Sequence, residues 1–338
     1  MSSSPTRRVL RASALLLAGT VALSGCSAFS DAPASSSSGG GDGTPSVAAS
    51  FYPLQFVAQR VGGDLIDLTV LTGPGQEPHD LELTVAQTAT IAGADLVLLE
   101  KALQPVVADA VDQNGTGSVL DVEDVITLRA LAESHEHGDE DGDEDEHADD
   151  HADDHGDEDE HADDHGDEDP HFWLDPALMA ELADAVAQEL AEIDPEHAED
   201  YSANAAALSE ELEALDSAWA SGLAECERDV VVVSHDAFGY LTRYGLDFHG
   251  IAGLSPDAEP TPADLGELQA LIRDEGITTV FSETLAPRAL SETLARDAGV
   301  ETAVLDPIEG LSDETAEEDY LSIMEANLEA LQEANGCR

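Results

Sequence analysis

Between His135 and Asp169 the chain carries no apolar side chain larger than alanine. Such a stretch cannot bury a core, so it is expected to be disordered, and a fold must be assembled from what flanks it. The stretch is acidic and set with His135, His137, His147, His151, His155, His161 and His165. The run HADDHGDEDE from His151 to Glu160 is nearly repeated from His161 to Asp169. Imidazole and carboxylate together are ligands for borderline divalent metals. A charge run usually means a solvated insert, and acid alone would satisfy that reading. Regularly spaced histidine in an otherwise histidine-poor chain points instead to a loose metal-collecting loop over residues 133–169.

The remainder is also acidic. The 338 residues carry a formal charge of −62, with only 12 Lys and Arg. That balance excludes nucleic acid as a partner, because phosphate binding needs a basic surface. It favours the attraction of cations. The length suits one large or two ordinary domains.

Arg7, Arg8 and Arg11 precede an apolar run from Ala12 to Leu23, a secretory signal over residues 1–25 and too short for an ordinary membrane span. Arg7-Arg8 also fits a weak twin-arginine start. Leu23-Ser24-Gly25-Cys26 resembles a bacterial lipobox. It implies cleavage before Cys26, lipid on that thiol, and an extracytoplasmic protein anchored to the outer face of the cytoplasmic membrane. Residues 26–45 read as a flexible Ser/Gly tether. With Cys26 lipidated, Cys226 and Cys337 form an even pair outside the cytosol, and a Cys226–Cys337 disulfide is predicted.

Beyond the tether, short apolar runs alternate with helical patterns. Val47–Phe51, Leu68–Leu71 and Leu96–Leu99 read as strands. Leu54, Val57, Ala58 and Val61 fall at helical spacing, Thr84 can cap a helix, and Val106–Val111 reads as helix. After the tract, Asp175-Pro176 opens a helix whose stripe runs through Leu178, Leu182, Val186, Leu190 and Ile193. Asp194-Pro195 restarts another, over 194–226, as a coiled-coil arm or a strut between domains. Strands then recur at Val230–Val233, Thr279–Ser282 and Ala303–Leu305, with helices opened by Thr261-Pro262 and Pro287 and a last helix through Leu321, Met324, Leu328 and Leu331. The expected fold is therefore α/β: two lobes with mostly parallel sheets, 46–193 and 227–338, joined by the long helix.

Ligands of open α/β sheets bind beyond the carboxyl ends of the strands. His79, His235, Glu283 and Asp306 fall at such ends or just past them, with Glu309 three residues on, and His171 precedes a helix. Three imidazoles and one carboxylate match the donor set of a tetrahedral zinc site, expected in a cleft between lobes. A lone loop histidine is more often a surface residue, which is the reading for His197 and His249. His79 lies in a Gly/Pro-rich loop, which argues against a packing role. His171 is followed by Phe172-Trp173-Leu174, where folded structure has resumed. The candidate ligands are far apart in sequence, and no local metal motif joins them.

Pro78-His79-Asp80, the run from Asp169 to Pro176 (DPHFWLDP), the run from Ser234 to Tyr240 (SHDAFGY), Glu259-Pro260-Thr261-Pro262 and Leu305-Asp306-Pro307-Ile308-Glu309-Gly310 occur in that order. Together they resemble the zinc-type metal-binding lipoproteins of bacterial ABC transporters, the ZnuA/TroA-like solute-binding proteins, from about Val47 onward. The resemblance implies two pseudo-symmetric lobes, a rigid linking helix, and metal held in the cleft by His79, His171 and His235. The fourth ligand is expected to be Asp306, which leaves the strand first, with Glu309 as the alternative and Glu77 also on offer. Glu283 is expected behind the ligands, orienting a histidine. The related manganese binders carry Glu where this chain has His235, and three imidazoles suit Zn²⁺ better. Cys226 lies before the Val230 strand, not where some relatives place their first cysteine.

The function expected is Zn²⁺ capture outside the membrane and delivery to a membrane permease driven by an ATPase, by a monomer that is not an enzyme. A secreted metal hydrolase is the first alternative, but neither HExxH nor GxSxG is present. A metal buffer or adhesin working without a transporter is the second.

Overall fold

Leu96–Leu99 are four consecutive apolar residues and all are buried, as expected of an inner strand covered on both faces. In the computed structural model, which describes residues 43–131 and 168–338, this strand is β3 of a parallel sheet. The sheet is built from β1 (Ser46–Ala49), β2 (Asp67–Val70), β3 (Leu96–Leu99) and β4 (Ser118–Asp121), in the order β2-β1-β3-β4. The crossovers run through α1 (Tyr52–Gly62), α2 (Val85–Gly93) and α3 (Pro105–Asn114). Thr84 caps α2 in a reciprocal box with Gln87, as its sequence suggests.

A two-stranded antiparallel ribbon follows, β5 (Arg129–Ala130) with β6 (Glu168–Asp169). Next come α4 (Pro176–Ile193) and α5 (Ala198–Gly222), packed on each other as a helix hairpin. Asp175 caps α4 by accepting the Ala177 amide at 2.9 Å. The helix expected over 194–226 is shorter than its pattern suggested. Pro195–His197 forms a separate 3₁₀ turn, and α5 ends at Gly222. It is not a free arm: its stripe of Tyr201, Leu208, Leu212 and Trp219 is buried, and it touches α1, α4 and α8 (Tyr320–Asn335).

The second sheet comprises β7 (Val230–Val233), β8 (Asp247–Gly250), β9 (Thr279–Ser282) and β10 (Glu301–Val304), all parallel, in the order β10-β9-β7-β8. Its crossover helices are α6 (Pro262–Asp274) and α7 (Ala289–Ala298), with Thr261 and Asp264 forming the box that starts α6. Read from β8, the order is second, first, third, fourth, the same as in the first sheet. The two halves are topological repeats.

Alternation along the strands divides the cores. Ala49 and Leu98 of the first sheet and Val231, Val233 and Phe281 of the second enter one continuous core with α1, α4, α5 and α8. Ala48, Val97 and Leu99 face α2 and α3, while Val232 and Val280 face α6 and α7. Cys226 and Cys337 are disulfide-bonded, tying the end of α8 to the segment after α5. No helix among the described residues is long and apolar enough to cross a membrane. The signal segment, Cys26 and the seven histidines from His135 to His165 lie outside the described residues.

Candidate metal centre

The parallel sheets place their carboxyl ends toward one another, and the candidate residues emerge there. His79 lies in the loop after β2, and His235 stands two residues past β7. Glu283 directly follows β9, and Glu309 sits in the turn after β10. His171 opens the 3₁₀ turn Phe172–Leu174 just after β6. Side-chain exposure is 2% for His79 and 0% for His171, His235 and Glu309, so the cluster is enclosed.

The three imidazoles point their Nε2 atoms at one carboxylate oxygen. Glu309 Oε1 lies 3.4 Å from His79, 3.3 Å from His171 and 3.2 Å from His235. One ligand atom from each of the four residues falls within 4.8 Å of the others. A tetrahedron with bonds of about 2.0–2.1 Å to a central ion has edges of about 3.3 Å. The spacing from Glu309 to each imidazole is therefore what a small tetrahedral cation requires.

Two of the rings are oriented from behind. His171 Nδ1 lies 2.9 Å from Asp169 Oδ1, and His235 Nδ1 lies 3.0 Å from Glu283. A carboxylate on Nδ1 keeps the proton there and leaves the Nε2 lone pair for an ion. Glu283 is the carboxylate behind the His235 ring. Asp169 is the last acid of an acidic tract, and nothing local in the sequence marks it as the partner of His171.

Asp306, the preferred fourth ligand from sequence, is not in the cluster; Glu309 is. Both Asp306 oxygens are already engaged. Oδ2 accepts the Thr284 hydroxyl at 2.7 Å and Oδ1 accepts the Ile308 amide at 2.8 Å. The second bond closes a turn in which Ile308 has φ of 61°, unusual for a β-branched residue, and the next residue, Glu309, faces the imidazoles. Asp306 thus folds the turn that aims its alternative. Glu77 also stands outside the cluster, where its Oε1 accepts the His79 amide at 3.2 Å. Burial first, then the Glu309 charge, pushes its pKa up to about 9.

The charges support one another. Burial opposes ionisation of Glu309, but the three imidazoles outweigh it and hold the carboxyl well below its usual range. Burial likewise opposes a charge on His235, yet Glu309 and Glu283 lift it well above the ordinary value. His171 is raised against burial by Asp169 and Glu309, whereas burial prevails at His79 and lowers it. Protons shared in such a cluster are what a divalent cation displaces. His197 and His249 are elsewhere, half-exposed and beside Asp194 and Asp247.

Residues 47–334 match the family described as zinc-uptake complex component A periplasmic. The zinc-binding lipoprotein AdcA of Streptococcus pneumoniae is 35% identical over 302 residues, covering 86% of this chain and 56% of AdcA. The chain thus spans about half the length of the AdcA relatives it matches. The high-affinity zinc uptake system protein ZnuA of Bacillus subtilis is 30% identical over 295 residues, covering 85% of this chain and 86% of ZnuA. Among solved structures, Zn(II)-bound AdcA of S. pneumoniae superposes with a TM-score of 0.69 at 31% identity, over 86% of this chain and 58% of that one. The laminin-binding protein Lmb of Streptococcus agalactiae, described as having adhesin and metal-transporting activity, gives 0.70 at 28% identity, over 86% and 99%. The chain belongs to the zinc-uptake complex component A periplasmic family.

Proposed function

We propose that this protein captures Zn²⁺ outside the cytoplasmic membrane and delivers it to the permease of an ABC transporter, with His79, His171, His235 and Glu309 as ligands. The observation that carries this reading is the set of 3.2–3.4 Å spacings from three imidazole nitrogens to one Glu309 oxygen. Three nitrogens and one oxygen suit a borderline ion such as Zn²⁺ better than Mn²⁺, which favours oxygen. Zn²⁺ is cargo here, and no catalytic role is proposed. A catalytic zinc keeps an open position for water or substrate, whereas here four candidate ligands converge in one enclosed cluster. The seven histidines of the acidic tract serve as accessory collectors of the same ion. Lipid on Cys26 holds the monomer at the outer face of the membrane, within reach of the permease.

The test is native mass spectrometry of the chelator-stripped soluble form during zinc titration. It should be repeated with residues 135–167 deleted, a cut that spares Asp169. One tightly held zinc is expected in both, and none when His79, His171 and His235 are all changed to Ala. Tight zinc in the triple variant, or its loss on deleting the tract alone, overturns the assignment.

A further inference from the structure

The ribbon β5–β6 holds only two residue pairs, Arg129 with Asp169 and Ala130 with Glu168. Ribbons that short do not hold themselves together in water. Yet the second strand carries Asp169, whose Oδ1 bonds both the backbone amide of His171, at 3.0 Å, and its ring, at 2.9 Å. Something else must fix Asp169, and it comes from the other half of the molecule.

Tyr240, in the 3₁₀ segment after β7, places one hydroxyl between the two ribbon strands. It accepts the Arg129 amide at 2.8 Å and donates to the Asp169 carbonyl at 2.9 Å. Both capacities of the hydroxyl are used, and the residue is buried. The preceding residue, Gly239, comes so close that a β-carbon there would overlap the Arg129 guanidinium and the Asp169 carboxylate. Arg129 Nη1 lies 3.4 Å from Asp169 Oδ2, the oxygen turned away from His171.

We propose that Tyr240 is a positioning residue for Zn²⁺ capture: through its hydroxyl bridge on the β5–β6 ribbon it fixes Asp169, and through Asp169 the His171 ring. The inference rests on the reading that the cluster holds Zn²⁺. It makes the His171 ligand, supplied by the first half, dependent on a contact supplied by the second, so the ligand is completed only when the halves are together.

The experiment compares wild type, Tyr240→Phe and Tyr244→Phe. Tyr244 lies in the same 3₁₀ segment, and its hydroxyl bonds Asp216 of α5 at 2.6 Å, not a carboxylate that touches a clustered histidine. Zn²⁺ affinity is measured by competition with a chelator, and the ligand field by the d–d absorption of bound Co²⁺. Loss of a group supporting a metal-bound histidine costs about 10–100-fold in affinity. Tyr240→Phe should therefore weaken Zn²⁺ about tenfold and alter the Co²⁺ spectrum, while Tyr244→Phe matches wild type in both. If Tyr240→Phe and Tyr244→Phe behave alike, Tyr240 only stabilises the fold, and the positioning role is overturned while capture stands. If wild type itself takes up no tight Zn²⁺, capture fails and the inference with it. Should Tyr240→Phe not fold, Arg129→Gln carries the test with the same readouts, because that half-exposed side chain reaches the same Asp169 carboxylate.

Discussion

The two sheets repeat one topology, and the residues just past their strands show what each half does with it. Past the first strand of each, Phe51 corresponds to His235; past the third, Glu100 corresponds to Glu283. In the second half the pair is polar and coupled, with the carboxylate 3.0 Å from the imidazole. In the first half the same two positions hold a phenyl ring, 5.1 Å from the Trp173 ring, and a buried carboxyl whose oxygens have no hydrogen-bond partner. The first half brings its histidines in from elsewhere, on the loop after β2 and on the turn after β6. One scaffold thus offers equivalent positions at its strand ends, and side-chain chemistry decides which becomes a site.

The largest expected effect breaks the second half's use of that position. His235→Ala removes one of the four proposed ligands and leaves Glu283 buried without its imidazole partner. Structural zinc sites are worth about 10–16 kcal/mol, so a quarter of that is about 2.5–4 kcal/mol. Zn²⁺ affinity should fall by about two to three orders of magnitude, as read by chelator competition. A fall of only a few-fold would show that His235 is not a ligand. Glu283→Gln is the next step down. Its amide oxygen can still accept from Nδ1, but the charge that raises ligand basicity is gone, so affinity should drop about 10–100-fold with one zinc still bound per chain. An unchanged affinity would mean that Glu283 does not tune the site.

The scaffold and the three clustered histidines have local marks in the sequence, whereas Glu309 entered only as the alternative to Asp306. Leu96–Leu99 is a run of apolar residues, Thr84 and Thr261 are caps, and His79, His171 and His235 stand in loops or just past strands. What it hid depends on contacts between distant segments. The edge strands β4 and β8 were not legible: Ser118–Asp121 has two apolar residues, one of them exposed, and Asp247–Gly250 has one. Edge strands need not be apolar on both faces. Asp306 and Glu309 lie in one turn, and the positive φ of Ile308, invisible in composition, decides which carboxylate faces the imidazoles. Tyr240 looks like an ordinary core aromatic until its hydroxyl is seen bridging Arg129 and Asp169.

The smallest expected effect sharpens the comparison from the first half. Burial, followed by the charges of Asp121, Asp169 and Glu123, raises the Glu100 pKa well above the ordinary carboxyl value of 4.5. A buried acid without a partner avoids the cost of its charge by keeping its proton. Glu100→Gln, a neutral side chain of the same shape, should therefore leave Zn²⁺ affinity unchanged, in contrast to Glu283→Gln. Stability should respond instead, and the sign is fixed by linkage. Above pH 4.5 the folded chain holds a proton on Glu100 that the unfolded chain releases, so wild-type stability falls as pH rises toward the folded value. The slope from this one group is at most about 1.4 kcal/mol per pH unit. Glutamine has no proton to lose, so the variant should gain on wild type steadily as urea unfolding is measured at higher pH between 5 and 8. Parallel curves would mean that Glu100 is ionised in the folded chain. The first half would then carry a buried charge at the position where the second half carries its histidine-orienting acid, and the contrast between the halves would lie in their partners alone.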